Sequence, residues 1–273
     1  VSSDIYRAVI LYLDWRSFGL LFSFPFLAIR SFLVGITHTK ALSWAAAIAV
    51  LINIPLNFYL IFTRELGISG AAIASSLAEM GSFMMLSFYM WIRLDKEKYG
   101  LRPVYNGNLL IKVLKLSTWS MLHALISVAP WFLFFVSIEH LGKIELAISN
   151  ITRSVSAIFF VIANSFALTT GSLVSNAIGA GEGKTLFSIC SKILKLGYTI
   201  GFPLVAIALL CNRWIIGFYT SNELLIQLAF APFVVMLLNY TFALPGYVYL
   251  NAVGGTGKTQ MTFLFQVTTT AIY

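Results

Sequence analysis

The sequence predicts an all-α integral membrane protein with about seven complete spans and part of an eighth, built as a two-lobed helix bundle truncated at both ends. The first observation is composition: 59% of the residues are hydrophobic, only 10% are charged, and the mean hydropathy is +0.88. Soluble domains carry about 25% charged residues to keep their surface wet. The second observation is repetition, because apolar stretches of about 20 residues, the length that crosses a bilayer, recur along the whole chain.

Each apolar stretch is expected to be a helix, since backbone groups in lipid must be paired within their own segment unless a barrel closes. The stretches are also too long, and alternate too little, for barrel strands. We leave the residues before position 17 unassigned, because Arg7, Asp14 and Arg16 interrupt the first apolar run. The expected spans are residues 17–37, 41–62, 67–92, 110–138, 146–178, 186–212 and 224–252, with another beginning near 260.

The loops predict the topology and the division into lobes. Lys and Arg concentrate in every second connection, as expected of cytoplasmic loops, so the net charge of +8 reflects loop bias and not a nucleic-acid partner. The longest polar connection is residues 93–109. We therefore expect residues 1–92 to form the rear part of an N-lobe, 93–109 a cytoplasmic linker, and 110–273 a C-lobe that is incomplete at its C-terminus.

Three sequence blocks resemble the MATE (multidrug and toxic compound extrusion) family. Residues 53–62 (NIPLNFYLIF) and 67–75 (GISGAAIAS) resemble the family's fifth and sixth helices. Residues 171–181 (GSLVSNAIGAG) resemble the end of its eighth helix, and residues 250–257 (LNAVGGTG) the end of its tenth. By this resemblance the bundle is of the MATE type, and the chain runs from about the fourth to the eleventh of twelve helices.

The resemblance implies a secondary active antiporter that exports organic, often cationic, compounds in exchange for Na⁺ or H⁺ by alternating access. It implies no enzyme activity, no cofactor besides the coupling ion, and no nucleotide or nucleic-acid partner. The expected partners are small organic substrates and the lipid bilayer, with the protein a monomer in the bacterial inner membrane. The alternative is a lipid or lipid-linked oligosaccharide flippase of the same superfamily, whose phosphate cargo would favour cavity arginines such as Arg30 and Arg153.

Two asparagines beside a proline form the strongest candidate site. Asn53 and Asn57 are four residues apart and share a helix face, while Pro55 cannot donate a backbone hydrogen bond and frees a carbonyl in the preceding turn. Amide and carbonyl oxygens at membrane depth suit a cation such as Na⁺; the other interpretation is that the amides only stabilise the proline kink. The resemblance adds Ser75 to this N-lobe cation-coupling site. Many family members have Asp at the position of Asn57, which leaves the identity of the ion open.

Charged residues in mid-membrane are the next candidates. Arg30 and Glu79 fall near the middle of their spans, where charge is costly and usually faces a cavity or an opposite charge. Whether they pair, and whether such a pair is structural or takes part in coupling, stays open. Some family members carry a Glu in the seventh helix and an Asp in the tenth, and neither acid is present between residues 116 and 138 or 224 and 257. Coupling is therefore expected in the N-lobe.

Further polar candidates lie in the C-lobe. Between residues 116 and 138 the only titratable residue is His123, which either titrates or packs against a neighbour. Asn150 and Asn164 belong to a small and polar row on one helix face, as a cavity wall or a close helix contact would require. Arg153 shares a face with Asn150 and either lines a cavity or extends to the interface. No metal site is expected beyond Na⁺ at the two N-lobe asparagines.

Overall fold

The structure, a computed structural model, describes residues 3–95, 97–101 and 105–272, with side chains from residue 6 onward. In this part of the chain the regular structure is helical throughout, and seven helices are long and apolar enough to cross a membrane. The all-α fold with seven spans is thereby confirmed. The helices are α1 (Ser3–Gly35), α2 (Lys40–Phe58), α3 (Gly67–Arg93), α4 (Gly107–Leu141), α5 (Lys143–Gly179), α6 (Leu186–Leu210), α7 (Asn212–Gly217), α8 (Glu223–Gly255) and α9 (Thr259–Ile272).

The first helix begins much earlier than the expected residue 17. It starts at Ser3 and continues through the charged positions that interrupt the apolar run. The physical reason lies in tertiary structure, because Arg16 has an acidic partner on α3 and so stays helical inside the span. Residues 96 and 102–104 of the expected linker lie outside the described residues, as do residues 1, 2 and 273.

The chain divides into two compact units, residues 1–105 and 106–273. In the first unit α3 packs against both α1 and α2. The contacts between α2 and α3 depend on small residues: a methyl group at Gly70 would lie 3.0 Å from the backbone of Leu60, and Ser82 donates a 3.0 Å hydrogen bond to the Ala45 carbonyl. Small residues allow close helix contact in lipid, where no hydrophobic force drives helices together. The two contacts show that α2 and α3 are antiparallel.

One end of the first unit has a compact apolar core. Leu33 of α1 and Leu86 of α3 are completely buried there, together with Ala41 of α2. The loop after α3 covers this core, with the Tyr99 ring packed edge-on against Phe32 at a centroid distance of 6.0 Å. The three helices are therefore fixed most firmly at this end.

The second unit is organised around α5 and α8, with α6 packed on both. Tyr240 of α8 is buried against α6, where glycines make room for its ring: a methyl group at Gly201 would lie 2.2 Å from it. The Tyr240 hydroxyl donates a 3.0 Å hydrogen bond to the Gly197 carbonyl, and Tyr198 donates back to the Thr241 carbonyl at 2.7 Å. Glycines and tyrosines thus join α6 to α8 along a shared seam.

The ends of α5 and α8 approach each other closely. A methyl group at Gly255 would lie 2.5 Å from the Gly171 carbonyl oxygen, and Ser175 donates a 2.7 Å hydrogen bond to the Gly255 carbonyl. Two of the three blocks that resemble the MATE family, residues 171–181 and 250–257, meet at this contact. They are therefore packing motifs as well as sequence motifs.

The helix α4 lies along α9 on the outside of the second unit. Asn106 caps α4 by accepting a hydrogen bond from the Leu109 N–H at 3.1 Å, and Trp119 packs on Phe263 at a centroid distance of 5.3 Å. All of α4 is described, and none of its residues is buried.

Candidate functional site

The two asparagines of α2 are in direct contact. Asn57 Nδ2 donates a 2.8 Å hydrogen bond to Asn53 Oδ1, and both side chains are half-buried. Asn53 Oδ1 has a second lone pair, and Asn57 Oδ1 accepts no hydrogen bond from the described residues. Pro55 cannot donate to the Leu51 carbonyl, which leaves a further oxygen on the same helix turns. The segment thus presents several neutral oxygens and no charge.

Ser75 lies at the depth of this asparagine pair. The antiparallel contacts of α2 with α3, Ser82 to Ala45 and Gly70 to Leu60, place Ser75 roughly level with Pro55. Ser75 is half-buried. The structure therefore places the expected cation-coupling residues at one level of the first unit, on two adjoining helices.

The helix that carries the asparagines ends in a π-helical turn. Residues Tyr59–Thr63 form this turn, in which the Arg64 N–H donates to the Tyr59 carbonyl at 2.9 Å. π-helical turns leave backbone carbonyls less regularly paired than an α-helix and are frequent at functional sites. The turn is supported from outside, because Gly70 allows α3 to touch the backbone at Leu60.

Glu79 pairs with Arg16 and not with Arg30, a choice that the sequence left open. Arg16 Nη1 donates to Glu79 Oε2 at 2.8 Å, and Nη2 donates to Glu79 Oε1. Ser23 Oγ, about two turns after Arg16 on α1, also donates to Glu79 Oε2. Arg30 lies on α1 beyond this cluster and is exposed. Arg16 is preferred because the α1–α3 register brings it, and not Arg30, level with Glu79.

Three residues of this cluster, Arg16, Gly19 and Ser23, were not predicted as site residues from the sequence. A methyl group at Gly19 would lie 2.6 Å from Arg16 Nη1, so the guanidinium takes its present position in space that a larger residue would fill. Arg16 and Ser23 are seven residues apart, and Gly19 lies between them, which puts all three on one helix face. That spacing was the available signal, and it was missed because the first span was placed too late.

An apolar groove of about 230 Å³ also lies between α1 and α3. Its walls are almost entirely hydrophobic, so it suits acyl chains or an apolar ring better than an ion. The groove is lined by Trp15, Phe18, Phe22, Ile73, Ser76, Leu77 and Met80.

His123 is on α4, and its side chain faces α9. Its side chain interacts with Gln266 of α9, which in turn donates a 3.4 Å hydrogen bond to Thr270. His123 Nε2 is buried and has no hydrogen-bond partner among the described residues. The histidine is thus part of a polar contact between two helices, and Gln266, which the sequence analysis did not consider, is its neighbour.

The remaining candidates on α5 are not brought together. Asn150 is exposed, Asn164 is half-buried, and Arg153 is exposed with its Cζ 5.1 Å from the centre of the Phe135 ring. Gly171, at the end of the polar row that includes both asparagines, makes a close contact with α8. Among the described residues, no three His, Cys, Asp or Glu side chains cluster to hold a metal ion.

Comparison with known proteins identifies the family. The MatE family model matches residues 120–272, which is more than half of the chain. The chain belongs to the MatE family. Members of this family are transporters and not enzymes. The chain itself has the helices of a multi-pass membrane protein.

Curated relatives match over most of the chain. It is 25% identical over 207 residues to "Probable multidrug resistance protein NorM" of Photorhabdus laumondii, covering 73% of this chain and 45% of that protein. It is 24% identical over 181 residues to "Protein DETOXIFICATION 8" of Arabidopsis thaliana, covering 64% of this chain and 36% of that protein. It is 28% identical over 139 residues to mouse "Multidrug and toxin extrusion protein 1", covering 49% and 24%. The chain thus spans about half the length, or less, of these relatives.

Solved structures show the same fold. A crystal structure described as MATE in the bent conformation superposes with a TM-score of 0.79 at 17% identity, covering 98% of this chain and 60% of that one. A transporter of the MOP superfamily from Pyrococcus furiosus superposes with a TM-score of 0.68 at 20% identity, covering 82% and 51%. The MATE-type helix bundle is therefore confirmed.

Proposed function

We propose that the protein takes part in secondary active export of small organic compounds, driven by inward movement of Na⁺ or H⁺. Family membership supports transport, and the multidrug-resistance and extrusion names of the relatives support export of drug-like substrates over lipid flipping. The bacterial NorM relatives support a bacterial inner membrane as its location. We assign residues 1–92 to an N-lobe, 93–109 to the linker and 110–273 to a C-lobe of the transporter.

The single observation that carries the coupling proposal is the Asn57–Asn53 hydrogen bond beside Pro55. The bond uses one Asn57 amide proton and leaves the amide oxygens able to accept or coordinate. Hard cations prefer oxygen ligands, and membrane transporters commonly coordinate Na⁺ with freed backbone carbonyls. Asn53, Asn57 and Ser75 are proposed as ligands of the coupling cation on this basis.

The test is ethidium transport in inverted membrane vesicles containing the protein. An imposed Na⁺ or pH gradient should drive ethidium uptake without ATP, and uptake driven by ATP alone would contradict the proposal. Asn57→Ala should raise the ion concentration needed for half-maximal transport about 10–100-fold, the range seen when residues supporting a metal site are removed. Asn176→Ala is the matched control, because Asn176 bonds only locally, to the Ser172 carbonyl at the end of α5. Equal ion dependence in the two variants would contradict the proposal that Asn53 and Asn57 bind the cation.

A further inference from the structure

A bidentate ion pair joins two membrane helices of the first unit. Both nitrogens at the tip of Arg16 donate to separate oxygens of Glu79, and the two side chains remain 28% and 29% exposed. Paired Arg–carboxylate geometry of this kind is stronger and more specific than a single contact. A charged side chain at membrane depth is costly, and such residues are usually functional.

Two further residues of α1, Ser23 and Gly19, surround this ion pair. Ser23 Oγ lies within hydrogen-bond distance of Glu79 Oε2 and 3.0 Å from the Gly19 carbonyl oxygen, and its one proton can be donated to either. When it is donated to Glu79, the carboxylate accepts three hydrogen bonds, two of them from Arg16. Gly19 is buried, and a methyl group there would lie 2.6 Å from Arg16 Nη1 and 2.7 Å from Ser76 Oγ. The absence of a side chain at Gly19 thus leaves room for the guanidinium between α1 and α3.

Glu79 lies on the same face of α3 as Ser75, the one residue of the proposed cation site that α3 contributes. Ser75 and Glu79 are four residues apart on α3, one turn from each other on a shared face. The cation ligands proposed above are all neutral oxygens. Glu79 would bring a negative charge one turn from Ser75, which is the element that the neutral site lacks.

Few other ionisable groups face Glu79. On α1 they are Arg16 and, through it, Tyr12, while Asp14 is exposed. Within Lys40–Phe58 of α2 the one charged residue is Lys40, at the first position of the helix. The charge of Glu79 is therefore balanced by Arg16 or by an incoming ion, and by no other group on these helices.

We propose that Glu79 is the anionic ligand of the coupling cation and that Arg16 is a tethered cation which holds this ligand until the ion displaces it. The proposal rests on the proposed function and deepens it. Arg16 pairs with both carboxylate oxygens and balances their charge, so a metal ion or a proton competes with the guanidinium for Glu79. Tyr12, one turn before Arg16 on the same face, offers its phenol oxygen to the displaced guanidinium.

Displacement has a mechanical consequence. The ion pair and its serine donor are polar links between α1 and α3 in mid-membrane, and both are lost when the carboxylate binds an ion. Cation binding and separation of the two helices at this level are then one event. Such linkage is what an exporter needs, because an ion can shift a conformational equilibrium only by binding one state better than the other.

The test measures access to Glu79 directly. Dicyclohexylcarbodiimide reacts with membrane carboxyl groups, and mass spectrometry of the purified protein gives the rate of Glu79 labelling. We expect slow labelling in the unaltered protein and at least tenfold faster labelling in Arg16→Gln, in which nothing competes for the carboxylate. Added ion should protect Glu79 at about tenfold lower concentration in Arg16→Gln than in the unaltered protein. Arg213→Gln, which removes a cation from the exposed Arg213–Glu223 pair, should change neither value.

The ion is identified in the same experiment. If Na⁺ protects Glu79 from labelling at fixed pH, the coupling ion is Na⁺. If the labelling rate depends on pH alone at every Na⁺ concentration, the coupling ion is the proton. Unchanged labelling in Arg16→Gln would overturn the proposal. Should Arg16→Gln fold poorly, Arg16→Lys keeps the charge but loses the two-point contact, and its labelling rate should lie between the other two.

A transport assay distinguishes a Glu79 that binds the coupling ion from a Glu79 that only forms a structural ion pair. The double variant Arg16→Gln/Glu79→Gln removes both charges, so a purely structural pair predicts transport close to that of the unaltered protein. We expect it, like Glu79→Gln, to lose ion-driven ethidium transport. Retained transport with unchanged ion dependence would refute the role of Glu79 and leave the proposed function intact. Ion-protected labelling without any gradient-driven transport would refute the proposed function and leave the ion site intact.

Discussion

The contact between Gly201 and Tyr240 gives a sharp stability prediction. In Gly201→Ala the new methyl group would lie 2.2–2.4 Å from three atoms of the Tyr240 ring edge, far inside van der Waals contact. The ring is buried, and its hydroxyl is held by the Gly197 carbonyl at 3.0 Å. It can move only by giving up that hydrogen bond or by displacing α6 from α8.

The expected loss follows from these two terms. Overpacking a close-packed site costs about 1–3 kcal/mol, and losing a hydrogen bond costs about 0.5–1.5 kcal/mol. Alanine regains about 1 kcal/mol of helix propensity over glycine. We expect Gly201→Ala to destabilise the protein by about 0.5–3.5 kcal/mol.

Thermal unfolding in detergent, followed by circular dichroism, measures this loss. A loss of 1 kcal/mol lowers Tm by about 2–4 °C for chains of 150–250 residues, so the melting temperature should fall by several degrees. Gly246→Ala is the matched control, since Gly246 is within α8 and a methyl group there meets nothing within 4 Å. It should be neutral or stabilising. Equal melting temperatures for the two alanine variants would refute the reasoning.

Two further variants test other contacts by the same measurement. Gly255→Ala should lower Tm, because the obstacle at 2.5 Å is the Gly171 carbonyl oxygen, a backbone atom that no side-chain rotation can remove; an unchanged Tm would mean that α5 and α8 are not in close contact there. Arg213→Gln should change the free energy of unfolding by less than about 1 kcal/mol, because the side chains of Arg213 and Glu223 are 73% and 64% exposed and solvent screens their attraction. A larger change would show that this pair is shielded from water.

The number and order of the spans could be predicted from the sequence because bilayer thickness sets the length of each apolar stretch. The contact between Asn53 and Asn57 could be anticipated as well, since residues four apart on a helix are neighbours whatever surrounds them. Local periodicity carries this information. It needs no knowledge of which helices touch.

The partner of Glu79 could not be predicted in the same way. Arg16 is 63 residues away from Glu79 in sequence. Arg16 and Arg30 lie on the same helix, and the sequence alone does not show which of them is level with Glu79. Choosing between them requires the register of α1 against α3, which depends on close contacts such as Gly19 with Ser76. Hydropathy does not encode that register, so the pair became visible only in the structure.

The distribution of contacts along α1 decides where movement would be possible if an ion displaces Arg16. At the far end of the helix Leu33 is completely buried against Leu86, and the loop residue Tyr99 closes the core. In the middle, the side chains of the ion pair are more than a quarter exposed. Separation would therefore begin in the middle of the membrane and pivot about the buried end, so that α1 tilts away from α3 without leaving the bundle. A tilt of this kind would widen the gap between α1 and α3 at Glu79 while the core around Leu33 and Leu86 stays closed.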